Sequence, residues 1–480
     1  MSSICLLAVF GRLFVTALPL LHLDDARTLR TSGLPQLLRA FHQQALDSGK
    51  IGHALPQLFS GEIESLDLFK HGDTTLRLSP LIGLEFRNPD DEYGWAMDAG
   101  ARLVGTTNNL AFWVEAEMVM AKTTQSLRSW DGQYQEFQQS GDNSNLSYTS
   151  YSRYEGMLNA MTTFGQFSFG RSKVHWGPSV EYPLVLGSYS SPYPFFDWQL
   201  EWGDFRIHSL WATLSIDGSG RFRSNTDSRS LYAHRYEWLG TSWLTIGASE
   251  AMFLYNHEEP AGIFPFAPLF MEKGQGLEDG NNGELAFDVE IRPFHGLRLY
   301  SEFLIDDMSE PFSLFNGLWK NRWAYTVGSH YAFRWHESDF GLIFEYSHVE
   351  PWVYTHYVEK TVQATHQGNL LGNHNGPNSR SININGYGAC GNLHLESSME
   401  FVWKGADMGS RWTDTLSDNE TTQKTFLAGG GKFGVRNEIH MGWSFGYATA
   451  WFDLAKVIYW TNTQSVKPSA PVALRLEFRY

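Results

Sequence analysis

Two short groups of side chains have residue types and a spacing that could support acid–base catalysis or metal binding. Asp306 and Asp307 are adjacent carboxylates, the residue type that supplies acid and base in glycoside hydrolysis. His366 and His374 share one segment rich in Asn and Gly. Solvated acids at a strand end and the polarity of a loop explain these residues more simply than a carboxylate pair or a metal site.

Motifs that mark the common enzyme classes do not occur. The sequence contains no nucleophile elbow of the G-x-S-x-G kind, no H-E-x-x-H, no paired C-x-x-C and no phosphate-binding loop. Its two cysteines are Cys5, in the expected leader, and Cys390. We therefore expect a protein that is not an enzyme and that uses no cofactor and no bound metal.

The composition indicates which elements position these residues. Of 480 residues, 42% are hydrophobic and 15% aromatic, and 45 glycines are spread along the chain. Beyond the N-terminus there is no run of the roughly 20 apolar residues that a membrane-spanning helix needs. The formal net charge of −16 argues against nucleic acid as a partner, because phosphate binding needs clustered Lys and Arg.

The first 73 residues differ from the rest of the chain. Residues 1–22 are expected to be a signal peptide, with a misplaced start codon as the rival explanation of their weak basic region. Apolar residues at helical spacing predict a helix over Leu34–Ser48 and a second short helix over Ser60–Phe69. Residues 23–73 would form a small α-helical N-terminal element that packs on or plugs the remainder, because about 50 residues are too few for an independent core.

From residue 74 to residue 480 the hydrophobic period is two. In Leu393–Lys404, Leu393, Leu395, Met399 and Phe401 alternate with mostly polar residues. Such repeats of about ten residues, joined by tight turns and long loops in alternation, are typical of transmembrane strands. The predicted fold class is therefore all-β, an antiparallel transmembrane β-barrel of about 18 strands. The expected strands are 75–87, 93–105, 109–121, 152–162, 165–176, 196–203, 205–216, 228–239, 241–255, 283–294, 296–307, 319–333, 336–350, 382–390, 391–404, 430–441, 442–455 and 469–480. Long loops are expected at 122–151, 177–195, 256–282, 351–381 and 405–429.

The C-terminal strand supports this class. Val472, Leu474, Leu476, Phe478 and Tyr480 alternate with Ala and charged residues, so that the chain ends on an aromatic. Such a strand resembles the signal by which the barrel-assembly machinery recognises its clients. An edge strand of a soluble sheet is the alternative, but it would leave an apolar face and an unpaired edge exposed. We expect an integral location in the lipid of the bacterial outer membrane.

Charged residues on the alternate face of these strands are expected to point into the lumen. They carry both signs, which favours a filled or narrow lumen crossed by ion pairs over a wide pore with a ring of one sign. They are Arg77, Glu85, Glu115, Glu117, Arg298, Glu302, Glu345, Glu396, Glu400, Arg436, Glu438, Arg475 and Glu477.

Aromatic residues crowd two of the expected loops. The faces of sugar rings stack on such side chains, and carboxylates accept hydrogen bonds from sugar hydroxyls. The aromatic girdles that barrels carry at both membrane interfaces are the alternative explanation. The candidates for polysaccharide binding are Trp176, Tyr189, Tyr193, Trp352, Tyr354, Asp306 and Asp307.

Several segments resemble, in the same order, those of the Wzi family of capsule-assembly outer-membrane proteins. The first is Gly170–Pro178 (GRSKVHWGP), followed shortly by LVLGSYSSPYPFFDWQLEWGDFRI. Further segments lie at 233–253, 297–307, 345–356 and 369–379. The resemblance spans most of the chain from about residue 22, with two departures. Asn373-His374-Asn375 stands where the family has His-Pro-Leu, and the helical region is shortened.

This resemblance implies a non-catalytic, lectin-like barrel that binds capsular polysaccharide or exopolysaccharide and helps to attach or assemble capsule. It identifies neither the glycan nor the residues that bind it. An outer-membrane porin or substrate-selective channel is the alternative that stays open. The two differ in the lumen, which would be blocked in the first and open in the second.

Overall fold

The computed structural model describes most of the chain beyond residue 65. The described residues are 45–46, 54–56, 66–88, 94–123, 149–215, 229–255, 260–266, 268–269, 281–310, 313–336, 338–356, 362–415, 423–445, 448–461 and 472–479. The expected leader and most of the expected N-terminal helices lie outside these ranges. Ala45 and Leu46 are helical, and the rest of the helix predicted over Leu34–Ser48 lies outside the described residues.

Among the described residues, eighteen antiparallel strands form a ring in the order of the sequence, and the ring closes on itself. Its strands are β3 (Thr74–Asn88), β4 (Gly94–Thr106), β5 (Leu110–Thr123), β6 (Thr149–Thr162), β7 (Gly165–Ser172), β9 (Tyr193–Trp202), β10 (Phe205–Leu214), β11 (Arg229–Trp238), β12 (Leu244–Tyr255), β13 (Asn282–Phe294), β14 (Leu297–Asp307), β15 (Arg322–Trp335), β16 (Ser338–Val349), β19 (Ser379–Cys390), β20 (Leu393–Lys404), β21 (Lys432–Phe445), β22 (Ala448–Thr461) and β23 (Val472–Arg479). The all-β class and the strand number predicted from the period of two are confirmed.

The first and last strands of the ring close the barrel. β23 pairs with β3 from Val472 opposite Asn88 to Arg479 opposite Leu81. The short strand β2 (Leu66–His71) pairs with the other half of the same edge of β3. The helix predicted over Ser60–Phe69 is therefore wrong from Leu66 onward, because a tight turn at Gly72 and the free edge of β3 favour a hairpin.

Several further strand boundaries differ from the prediction by a few residues, and two of these differences affect the course of the chain. β21 continues to Phe445 and β22 begins at Ala448, so the strand end expected at residue 441 lies further along the chain; Trp443 and Phe445 are both exposed and continue the alternation. The strand expected over 165–176 breaks at Lys173. Beyond the break, β8 (Val174–Trp176) leaves the ring and pairs with β1 (Ala54–Pro56) of the N-terminal element.

The connections differ in length between the two ends of the barrel. At one end, the short-turn end, strands are joined by turns such as 203–204 and 295–296. At the other, the loop end, the connections include 177–192, 350–378 and 405–431. The N-terminal element approaches the short-turn end, where the N–H of Gly296 donates to the carbonyl oxygen of Ala45 at 3.0 Å.

The outer face of the ring is apolar along most strands. No helix among the described residues is both long and apolar enough to cross a membrane. Large exposed apolar side chains at mid-strand include Val114, Met118, Phe169, Phe287, Leu342, Phe344, Ile384 and Leu395. Exposed aromatic side chains collect beside the short turns and include Phe164, Trp202, Phe205, Trp243, Phe294, Trp335 and Trp443.

Candidate functional site

The connection 177–192, here called the inner loop, folds into the lumen and is held there by a wall carboxylate. Glu345 on β16 accepts the backbone N–H groups of Val180 at 2.6 Å, Glu181 at 2.8 Å and Tyr182 at 3.1 Å. Glu345 is fully buried, and the hydroxyl of Tyr300 donates to it at 2.6 Å. Successive N–H groups that converge on one carboxylate form charge-assisted hydrogen bonds, which are stronger than neutral ones.

A second wall carboxylate holds the same loop. Glu302 on β14 accepts the N–H groups of Ser179 at 2.8 Å and Leu184 at 3.0 Å. Gly177 has φ +105°, and a Cβ atom at this position would collide with the Glu302 carboxylate. The Trp-Gly-Pro step of the sequence therefore supplies the turn and the clearance that bring the loop against the wall.

The inner loop extends across the lumen to strands on the far side of the ring. The carbonyl oxygen of Tyr182 accepts a hydrogen bond from the hydroxyl of Thr326 at 2.9 Å. Its phenol donates to Glu400 on β20, also at 2.9 Å. The loop thus starts at β8 and contacts β14, β15, β16 and β20.

The connection 350–378, here called the covering loop, packs over the inner loop. The N–H of Tyr354 donates to Asp306 at 2.7 Å, and its hydroxyl donates to the carbonyl oxygen of Leu184 at 2.8 Å. Arg322 donates to the carbonyl oxygen of Thr355 at 2.6 Å and pairs with Asp307 at 2.8 Å. The paired aspartates therefore fasten the covering loop to the wall.

An apolar cluster fills the lumen between these loops and the wall. Loop residues supply one side of the cluster and inward-facing residues of β10 to β16 supply the other. Burial of each large apolar side chain contributes roughly 1.5–3 kcal/mol, so the loops dock as a plug. The cluster includes Trp176, Leu184, Leu186, Val353, Tyr354, Leu371, Leu210, Leu231, Phe253, Leu304 and Val349.

The connection 405–431, here called the rim loop, joins the other two at the loop end. The N–H of Trp352 donates to the carbonyl oxygen of Gly409 at 2.9 Å. Lys424 pairs with Glu350 at 2.9 Å, and the fields of His348 and this lysine hold the pKa of Glu350 below its ordinary value.

A cleft of about 500 Å³ opens where the three loops meet. Aromatic side chains line it on two sides, and the ring of Tyr189 lies 4.1 Å from that of His374. Cationic, amide and hydroxyl side chains complete the lining. The side chains that line it are Tyr189, Trp412, His374, Lys404, Arg411, Asn369, Asn375, Ser410 and Thr413.

Two carboxylates lie beneath this cleft. Glu400 accepts hydrogen bonds from Tyr182 at 2.9 Å and from Asn375 at 2.8 Å, and His374 lies 3.4 Å away. Glu181 accepts a hydrogen bond from the hydroxyl of Tyr189. Burial raises the pKa of Glu181 to about 7, although His374 and Tyr189 act in the opposite direction. Its proton content therefore changes near neutral pH.

A different sector of the wall keeps a polar, partly exposed inner face. On β21, Arg436 pairs with Glu438 at 2.7 Å, and their side chains stay 49% and 27% exposed. On β6, Arg153 approaches Glu117 at 3.5 Å with 29% of its side chain exposed. Glu117, Arg436 and Glu438 therefore take part in ion pairs inside the barrel as predicted, but these pairs run along the wall and do not cross the lumen.

The outer face carries buried polar side chains on β10, β11 and β12. Ser209, His234 and Glu250 lie directly opposite one another across these strands. His234 contacts Glu250 at 2.9 Å and the carbonyl oxygen of Gly262 at 2.9 Å, while Ser209 donates to the carbonyl oxygen of Ile263. These residue types occur in hydrolase triads, but here serine and histidine each hold the segment 260–266 against the wall.

Only one of the predicted polysaccharide-binding residues lies at the surface of the cleft. Tyr189 is 42% exposed, whereas Trp176, Tyr193, Trp352 and Tyr354 are buried. The girdle explanation is wrong for Trp176, Tyr193 and Tyr354, because all three belong to the cluster inside the barrel. Direct glycan contact by any of these residues stays a prediction.

The two histidines singled out in the covering loop have different surroundings. His366 accepts the N–H of Ser215 at 3.0 Å, and burial lowers its pKa to about 3, so this ring is neutral. His374 lines the cleft. Among the described residues there is no group of three or more His, Cys, Asp or Glu side chains placed to hold a metal ion.

Sequence reasoning missed the cleft residues of the rim loop. Trp412 and Arg411 stand in a stretch without a regular period, and Lys404 ends the alternating strand β20, so nothing in the pattern relates these residues to Tyr189. A weak signal did exist on the outer wall. Ser209 and His234 interrupt the apolar face of their strands, and a polar residue at such a position needs a covering segment.

Comparison with known proteins finds similarity in structure alone. No family model matches the chain, and no curated protein matches its sequence. Wzi of Escherichia coli, an outer-membrane, carbohydrate-binding β-barrel involved in group 1 capsule assembly, superposes with a TM-score of 0.52 at 12% identity, covering 83% of each chain. The fold is that of a large outer-membrane β-barrel.

Two further barrels match with lower scores. OprD of Pseudomonas aeruginosa gives a TM-score of 0.44 at 12% identity, with coverage of 88% of this chain and 99% of that one. OccAB2 of Acinetobacter baumannii gives 0.46 at 9% identity, with coverage of 85% and 98%.

Proposed function

We propose that this chain is an integral outer-membrane barrel that binds surface polysaccharide at its loop-end cleft and helps to attach or assemble capsule. It acts as a lectin-like scaffold and not as an enzyme. Its partners are capsular polysaccharide or exopolysaccharide, the lipid of the outer membrane and, during biogenesis, the barrel-assembly machinery.

The outer face supports a membrane location. Apolar side chains such as Met118 and Leu342 cover the middle of the wall, and aromatic side chains such as Trp202 and Trp335 lie beside the short turns. Near the loop end, Trp323 stacks on His348 at 5.1 Å. An apolar band between two aromatic belts matches the profile of a bilayer.

The observation that carries the glycan-binding proposal is the plug with an open cleft above it. The carboxylates of Glu302 and Glu345 hold the inner loop across the lumen, and an apolar cluster packs around it. Above the plug, the exposed ring of Tyr189 and the side chain of Trp412 offer stacking surfaces beside amide and hydroxyl groups. This combination suits sugar rings with their many hydroxyls.

A substrate-selective channel is the second candidate, and one specific observation favours it. The inner faces of β6 and β21 keep partly exposed charges, such as Arg153 and Arg436, beside the plug. A polar strip of this kind lines the path of a solute in a narrow channel.

Two measurements on the refolded full-length chain separate the candidates. The first is single-channel conductance in a planar bilayer, with a second form that lacks residues 23–72. The second is binding of immobilised capsular polysaccharide to the detergent-solubilised protein. Silent bilayers with saturable glycan binding support the scaffold. Steady current from the intact chain without glycan binding would replace it with the channel, and current only after truncation would identify the N-terminal element as part of the plug.

A further inference from the structure

We infer that the cleft selects an acidic polysaccharide and that Arg411 is the side chain that reads the acid group. This inference rests on the proposed glycan-binding function and specifies its ligand class. The observations that carry it are the charges around the cleft and the partners that each charge already has.

Lys404 is half-buried and lies in the field of Asp414, whereas the guanidinium of Arg411 has no carboxylate partner among the residues that the structure describes. The Nζ of Lys404 donates to the carbonyl oxygens of Asn375, at 2.7 Å, and of Pro377. Arg411 is exposed. Its backbone N–H donates to Asp414 at 3.1 Å and its carbonyl oxygen accepts the N–H of Asp414 at 3.0 Å, while its side chain makes no hydrogen bond among the described residues. Its guanidinium is therefore available to a ligand, and its planar donor fork suits a carboxylate.

The carboxylates near the cleft are already engaged. Asp414 accepts the N–H groups of Gly409 at 2.9 Å and Arg411 at 3.1 Å. Glu400 accepts from Tyr182 and Asn375, and Glu181 accepts from Tyr189. Arg411 is therefore the described cation of the lining that a negative ligand can reach, on a chain whose formal net charge is −16.

The rings of the cleft define the rest of the ligand. Tyr189 and Trp412 lie in the same lining as Arg411. A pyranose stacked on either aromatic side chain can therefore present a carboxylate substituent to the guanidinium. A uronate residue has both features in one unit. We therefore assign the cleft to a uronate-containing polysaccharide.

The test uses matched acidic and neutral forms of the same chains. Hyaluronate, alginate and pectate are each prepared as native oligosaccharides and after reduction of the carboxylates to hydroxymethyl groups. Their affinities for the solubilised full-length barrel are measured by calorimetry at 50 mM and 300 mM salt. We expect at least one chain to bind about tenfold more tightly in its acidic form, with the preference shrinking at high salt.

Substitutions test whether the preference for acidic over reduced oligosaccharides arises at the cleft. Arg411→Gln should reduce it to about twofold, and Arg411→Lys should keep most of it. Arg334→Gln is the control, since Arg334 lies at the short-turn end, where it pairs with Asp339 at 2.8 Å.

Equal affinity for acidic and reduced forms would overturn this inference and leave the glycan-binding function standing. An acid preference unchanged in Arg411→Gln would overturn the role of Arg411. Failure of every chain to bind in either form would overturn the proposed function itself.

Discussion

The carboxylate of Glu345 accepts the N–H of Val180 at 2.6 Å, although 165 residues separate the two in the chain. Glu345 also receives the N–H groups of Glu181 and Tyr182 and the hydroxyl of Tyr300. Glu345 is therefore one of the main wall side chains that fix the position of the inner loop. Because Glu345 accepts several hydrogen bonds, even a conservative substitution of this residue should release the inner loop and open the plug.

Glu345→Gln should destabilise the plug while keeping the side chain's shape. The amide presents an NH₂ group to N–H donors that now face a carboxylate, and each buried donor left without an acceptor costs about 1–3 kcal/mol. We expect a loss of several kcal/mol in unfolding free energy and the appearance of current in a planar bilayer. Heat-induced loss of β-sheet circular dichroism and single-channel recordings measure the two effects.

The control for this change is Glu438→Gln. Glu438 is also a lumen glutamate, but it pairs with the half-exposed Arg436 at 2.7 Å and does not contact the inner loop. Solvated ion pairs contribute about 1 kcal/mol or less, so this variant should stay close to wild type in both assays. Similar behaviour of the two variants would show that the inner loop does not depend on Glu345.

Gly177→Ala tests the same plug from the side of the loop. Gly177 has a positive φ, and a Cβ atom there would collide with the carboxylate of Glu302. Gly203, in a short turn, also has a positive φ, but a Cβ atom there would meet nothing within 4 Å. Gly203→Ala should therefore show only the backbone penalty of about 1 kcal/mol.

The difference between the two alanine variants combines the collision with the greater backbone strain of alanine at φ +105° than at φ +60°. Gly177→Ala should lose substantially more stability than Gly203→Ala, and it alone should raise conductance. Equal loss in both variants, without current, would mean that the loop shifts away from Glu302 at little cost.

The barrel could be predicted from the sequence because a period of two and alternating turn lengths are local features. The closing strand was visible for the same reason, since Leu474 and Leu476 alternate with charged residues. The alternation along its strand also predicted that the side chain of Glu345 points into the lumen. Its partners could not be predicted, because they are backbone groups of a loop with no regular pattern.

The cleft could be predicted only in part. Tyr189 was singled out by its aromatic type, whereas Trp412 and Arg411 come from another loop and carry no sequence signal. Trp176 and Tyr354 have the same residue types as a sugar platform, but they are buried in the plug. Residue type suggests which side chains suit a glycan, while the packing of the loops decides which of them reach it.

Glu181 makes stability depend on pH near neutrality. Burial raises its pKa from 4.5 to about 7 in the folded protein, so the folded state binds a proton that the unfolded state has released. The stabilising effect of the neutral carboxyl is complete below about pH 4.5 and is lost as pH rises through 7. Wild type should therefore lose stability over this range.

Glu181→Gln should remove this contribution. The amide stays neutral, so the thermal midpoint of the variant should exceed that of wild type at pH 8, with the gap narrowing toward pH 5. Full pH titration of the melting temperature for both proteins measures the effect. Parallel curves at every pH would show that Glu181 keeps an ordinary pKa in the folded barrel.

Stacking in the cleft should depend on two rings and not on aromatic content in general. Tyr189→Ala and Trp412→Ala each remove a ring from the cleft lining, and we expect each to weaken binding of a recognised polysaccharide about tenfold, or about 1.4 kcal/mol. Trp202→Ala removes a larger exposed ring at the short-turn end and should leave affinity unchanged. Calorimetry with one polysaccharide compares the three variants.

Because Tyr189 also donates to Glu181, Tyr189→Phe separates the roles of the ring and the hydroxyl. It keeps the ring without the hydroxyl and should retain most of the affinity. If Tyr189→Phe weakens binding as much as Tyr189→Ala does, the hydroxyl and its carboxylate partner, and not ring stacking, account for the contribution of Tyr189.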